Sequence, residues 1–137
     1  MTQQDDNGSA RHEYLVLSRG QWDATASPAD IETAITDFYA WYEGHVAAGT
    51  MKRGHRLAVQ GKVASAAGVT DGPFAEAKEI IGGYWFIVAA SLDEAAALAA
   101  RNPCAAWGLS YDVRPLELER ASAYVPASET PAAWKQR

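Results

Sequence analysis

Three side chains have both the chemistry and the setting to do more than fold this chain: Asp71, His45 and His55. Asp71 stands in "TDGPFAEAKE" (residues 70–79), where an Asp-Gly-Pro turn precedes an aromatic residue and is followed by alternating charges. An aspartate there has two readings. Its side chain can stabilise the turn, with Gly72 allowing unusual dihedrals and Pro73 fixing φ. Alternatively it faces a cleft between the first helix and a sheet, as a general base or a ligand acceptor; as a base it needs burial to raise its pKa toward neutrality. In that second reading Phe74 walls an apolar pocket, and Lys78 and Glu79 orient the loop. In the first, Phe74 fills core, and Lys78 and Glu79 form a solvated pair worth little.

The two histidines divide in the same way. His45 falls about 40° from the centre of an apolar helical stripe at ~100° per residue. A polar ring there must find a hydrogen-bond partner, either Asp71 or an ordinary neighbour at the edge of the core. His55, in "RGHRL", stands between Arg53 and Arg56 and begins a strand. Those basic neighbours either help to bind an anionic ligand or are plain surface. His12 carries no comparable signal.

Other chemistry is excluded more firmly. The glycines are scattered and match no phosphate-cradling pattern, and no cofactor is expected. Three dispersed histidines and one cysteine argue against a metal. Cys104, in "RNPC", reads as part of a helix terminator, with no helix N-terminus or base to activate a nucleophile. A net charge of −5 without a Lys/Arg cluster excludes a nucleic-acid footprint. No apolar run approaches the ~18 residues of a membrane span. The polar, acidic N-terminus is unlike a leader peptide, and a single cysteine fits a reducing cytoplasm, so a cytoplasmic location is expected.

These residues need a scaffold, and the 137-residue chain, 48% hydrophobic, suits one domain with a real core. Residues 1–11 read as a disordered tail, 12–120 as the domain, and 121–137 as an extension that docks through Tyr124, Val125 or Trp134 on its own domain or a partner subunit, or hangs free. "HEYLVLSRG" reads as a strand. "SPADIETAITDFYAWYEGHVAAGTM" reads as a helix with Ser27 as N-cap, Pro28 at its first position and Gly49 at its end. Ile31, Ile35, Phe38, Tyr42 and Val46 form its apolar face. Residues 51–70 hold one or two short strands, in "HRLAVQ" and "KVASAAG". "GGYWFIVAA" is a strand with both faces apolar. "SLDEAAALAARNP" is a helix with capping-box spacing at Ser91 and Glu94, closed by Pro103, and its alanines favour close packing on a sheet. "YDVRPLEL" is the last strand. Trp22, Trp41, Trp85 and Trp107 read as core or interface residues.

The order predicts a ferredoxin-like α+β domain, a split β-α-β sandwich whose antiparallel sheet has two helices on one face. The other face needs a cover, and a second copy of the sheet is the simplest one, so a homodimer is expected.

"TDGPFAEAKE", then "GGYWFIVAASLDEA", "NP" and "VRPLE" together resemble the YCII-related family, specifically its DGPF branch. The resemblance runs from the first strand to about residue 119, the first helix and linker agreeing in pattern more than in letters. Ala77 stands where the family usually has a small hydroxyl residue, and "RNPC" replaces its usual Asp-Pro or Cys-Pro. The resemblance implies a dimeric α/β barrel. Family function is mostly unassigned; some relatives are thought to act on small cyclic or aromatic compounds, and others occur beside sigma factors. Three functions are therefore carried forward: a homodimer binding a small organic molecule near the DGPF loop, an isomerase or lyase using an Asp71/His45 pair, and a regulatory module in a sigma-factor system.

Overall fold

The computed structural model describes residues 10–71 and 80–135. Four strands, β1 (His12–Arg19), β2 (Met51–Arg56), β5 (Ile81–Ala89) and β6 (Ser110–Pro115), form one antiparallel sheet in the order β2-β5-β1-β6. Helix α1 (Pro28–Ala48) joins β1 to β2, and α2 (Leu92–Ala99) leads from β5 towards β6. Each crossover therefore skips one strand, which is the ferredoxin-like split β-α-β arrangement.

Alternation along the central strands decides which residues meet the helices. Tyr14 and Val16 of β1, and Trp85, Ile87 and Ala89 of β5, are buried beneath α1 and α2. Leu15, Leu17, Tyr84, Phe86 and Val88 point the other way and are half-buried. In register, Leu15 lies opposite Phe86 and Leu17 opposite Tyr84, so an apolar patch runs across the uncovered face.

The helices start and stop where their caps require. Ser27 Oγ accepts the Asp30 N–H at 3.1 Å, and Gly49 closes α1 with φ +81°. Ser91 Oγ accepts the Glu94 N–H at 3.1 Å, while the Glu94 carboxylate accepts from the Ala90 N–H, one residue ahead of the usual capping-box position. Ala95 and Ala99 are 0% and 2% exposed, so α2 lies close on the sheet. Helix α1 is held off by larger side chains. Of its expected apolar face only Tyr42 is buried, with Ala34; Ile31, Ile35, Phe38 and Val46 are half-buried.

Three local readings change. β2 starts at Met51, 1% exposed, and stops at Arg56, before most of "HRLAVQ". It is an edge strand with one fully buried side chain, so its sequence shows no alternation to read. β3 (Lys62–Ser65) and β4 (Gly68–Asp71) form a separate hairpin whose residues are all exposed. Pro103 does more than close a helix: it starts a 3₁₀ helix, Pro103–Trp107, capped by Asn102.

The extension is shaped by its own turns. Ser122 Oγ accepts from Tyr124 N–H, and Thr130 Oγ1 from Ala127 N–H, before the short helix α3 (Ala132–Lys135). Tyr124 is 95% exposed, so it does not dock on its own domain. Arg114 touches the extension through Ser128, at 3.1 Å.

Two glycines separate backbone constraint from helix propensity. A Cβ at Gly54 would lie 2.0 Å from the Tyr84 carbonyl oxygen, where β2 presses on β5 at a register shift. A Cβ at Gly44, inside α1, would meet nothing within 4 Å. Gly44→Ala should therefore stabilise the fold by about 0.5–1 kcal/mol. Gly54→Ala should destabilise it by about 3 kcal/mol or more, as overpacking against backbone does. Urea unfolding of the two variants checks both signs.

Candidate functional site

The gap between α1 and the sheet opens into a cleft of about 840 Å³ at the end where β1 stops and β5 starts. Its cause is the aromatic packing that spaces the two layers. Trp85, rising from β5, meets Phe38 at 5.4 Å and Tyr42 at 6.1 Å on α1, and Tyr111 at 5.7 Å on β6. Phe38 stacks on Tyr42 at 5.4 Å. These rings, with Ile35, Tyr39 and Trp22, also line the open space of the cleft. Walls like these suit a flat organic molecule.

The wall holds two buried donors without partners among the described residues. Asn102, 3% exposed, turns its Oδ1 to the Cys104 N–H at 2.8 Å, which fixes which end of the amide is oxygen. Its Nδ2 is then left without an acceptor, and the buried indole Nε1 of Trp85 also has none. An unmade buried hydrogen bond typically costs ~1–3 kcal/mol, so two in the wall of one cleft are unusual. Tyr42 accepts from the Gly54 N–H at 3.2 Å and keeps its own O–H to donate. Burial, followed by the nearby Cys104, raises the Tyr111 hydroxyl pKa, so this ring stays neutral at ordinary pH. The described lining includes Arg56 and His55 but no aspartate or glutamate.

Of the residues singled out from the sequence, the cleft takes in His55, whose ring meets Tyr84 edge-on at 6.1 Å. His45 lies elsewhere along α1, its Nδ1 2.8 Å from Thr50 Oγ1 and its ring against Trp41. Asp71 ends β4 and pairs with Lys62, its side chain 79% exposed. Each member of the anticipated Asp71/His45 pair thus has another partner, and neither lines the cleft. Phe74, Lys78 and Glu79 lie outside the described residues. The chain resumes at Ile80, whose carbonyl accepts from the N–H of Gly20, a residue of the cleft lining. Among the described residues no cluster of His, Cys, Asp or Glu could hold a metal ion.

Asn102 is the residue that sequence reasoning passed over. An asparagine directly before a helix-starting proline is itself a capping signal, and that signal was available in "RNPC". Trp85 reads as core or interface from the sequence, because burial and wall are indistinguishable until α1 is placed.

Fold and cleft together define a ferredoxin-like α+β protein whose one-sided sheet and standing-off helix enclose an aromatic cavity. Residues 14–117 match the YCII-related domain, and the chain belongs to that family. Set against curated proteins, it has no match. No helix among the described residues is long and apolar enough to cross a membrane.

Cys104 lines this cleft, yet its environment suppresses thiol chemistry. Burial, and then the charge of Asp37, push its pKa from 9.0 up to about 11. A native thiol that keeps its proton to higher pH than the unfolded one makes stability fall as pH rises from about 9 to about 11. Cys104→Ala should flatten that part of the stability profile. Iodoacetamide at pH 8 should label the native protein at least about tenfold more slowly than the urea-unfolded chain, followed by mass spectrometry.

Proposed function

We propose that this YCII-related protein is a binding protein for a small organic molecule, which it holds in the cleft between α1 and the sheet. The observation that carries this reading is the unfilled, aromatic-walled volume of about 840 Å³, of the size that accepts a drug-sized molecule. Interiors normally close to crystal-like density, so a gap of this size beside a well-packed ring cluster has a use. The binding reading is favoured over an isomerase or lyase using an Asp71/His45 pair because neither residue is among those lining the described cleft.

The working assembly is a homodimer joined through the open face of the sheet. Leu15, Leu17, Tyr84, Phe86 and Val88 are contiguous there and half-exposed in the single chain, a patch that a second copy would cover. Ion pairs Lys52–Glu13 and Arg19–Asp112 lie on strands bordering that patch and leave its middle apolar. This is the pattern of an interface core with a polar rim.

A thermal-shift screen of small aromatic compounds should give hits that raise the melting temperature. Ile35→Trp, which places a ring in the open end of the cleft, should abolish those shifts without lowering the melting temperature of the unliganded protein; hits that survive it would bind elsewhere. For the assembly, sedimentation should give twice the chain mass of 14.7 kDa. Phe86→Glu, which puts a charge in the middle of the patch, should give a folded monomer. A wild-type monomer at micromolar concentration would refute the assembly and leave the cleft unaffected.

A further inference from the structure

We propose that the ligand of this cleft is a small planar organic anion, a carboxylate on an aromatic or conjugated body, received by Asn102 Nδ2 and Trp85 Nε1. This rests on the reading of the cleft as a binding site and adds the chemistry of its occupant. Two independent features of the wall point the same way.

The first is the pair of orphan donors. Asn102 has its oxygen committed to the Cys104 N–H, and an indole nitrogen can only donate. Both nitrogens are buried and without acceptors among the described residues, and both residues belong to the same cleft. What they lack in common is an acceptor, and a carboxylate offers two oxygens for two donors. Because neither nitrogen is open to solvent in the unliganded chain, the acceptor reaches them only by entering between the wall side chains, with the Asn102 oxygen kept on the Cys104 N–H.

The second feature is charge. The protein carries a net charge of −5, yet the described lining has no carboxylate and has Arg56 at its exposed edge. Arg11, Arg19, Lys52, Arg53 and Lys62 are all engaged in ion pairs. Arg56 has no such partner among the described residues, and its field is available to an incoming anion. Among the described residues a cation would meet donors and an arginine, with no carboxylate to receive it. The flat body is set by Phe38, Tyr39, Tyr42 and Trp22, which leave room for stacking but supply no carbonyl-rich surface for a sugar-like ligand.

Three probes with one ring system and different head groups test this: naphthoate, naphthylmethanol and naphthylmethylamine, titrated by calorimetry and by proton–nitrogen NMR. Naphthoate should bind at least about tenfold tighter than the alcohol, and the amine should not bind. On saturation the Trp85 indole and Asn102 amide signals should shift, those of Trp134 should not. Asn102→Asp keeps the capping oxygen but replaces the donor with an acceptor, and should abolish naphthoate binding. Trp85→Phe and Arg56→Gln should each weaken it several-fold, and Arg56→Gln should also reduce its salt dependence. If naphthoate and naphthylmethanol bind equally, or the Trp85 and Asn102 signals stay put at saturation, this assignment is wrong while the cleft stands as a binding site. Binding by none of the three would remove both readings.

Discussion

Trp85 and the rings around it set the separation between α1 and the sheet, and most of what distinguishes this protein follows from that separation. The two helices on one face are seated by opposite means. Ala95 and Ala99 present almost no side chain, so α2 comes close to the strands beneath it. Phe38 and Tyr42 meet Trp85 ring to ring, so α1 is held a ring's thickness away. Beside these rings, where Ile35, Tyr39 and Trp22 also line the gap, the cleft opens. Dense aromatic packing and an unfilled cavity are thus two results of one spacing.

The backbone imposes a second constraint at the same edge. β2 contributes one fully buried side chain, Met51, and is held mainly by main-chain pairing to β5. Gly54 and Gly83 let the two strands approach at the register shift, and the Tyr42 hydroxyl takes up the Gly54 N–H there. The helix, the edge strand and the cleft wall are joined by this contact, so the geometry of the cavity depends on two residues that have no side chain.

Electrostatics are sorted by location. Charged side chains meet on the surface, in exposed pairs such as Arg53–Glu43 and Lys62–Asp71, each worth little in water. The described interior of the cleft holds hydroxyls, an indole and amide N–H groups instead, in an environment dry enough to keep Tyr111 and Cys104 protonated. Few polar groups are present there, and the two that lack partners stand out for that reason.

Strand β1, both principal helices with their caps, and the apolar strand β5 were legible in the sequence, because alternation, capping residues and glycine stops are local signals read within a few residues. The ferredoxin-like order followed from their succession. β2 was displaced by several residues, since an edge strand with one buried position carries no period. The place of the cleft, between the first helix and the sheet, was anticipated, but its lining was not legible. Trp85 looks like core or interface in one dimension, and Asn102 and Cys104 look like punctuation around a proline; only the height of α1 above the sheet turns them into a wall. Asp71 and His45 each sit beside another partner, Lys62 and Thr50, once the hairpin and the helix end are placed. Secondary structure here was decided by short-range sterics and hydrogen bonding, and the site by distances between elements that residue types alone do not encode.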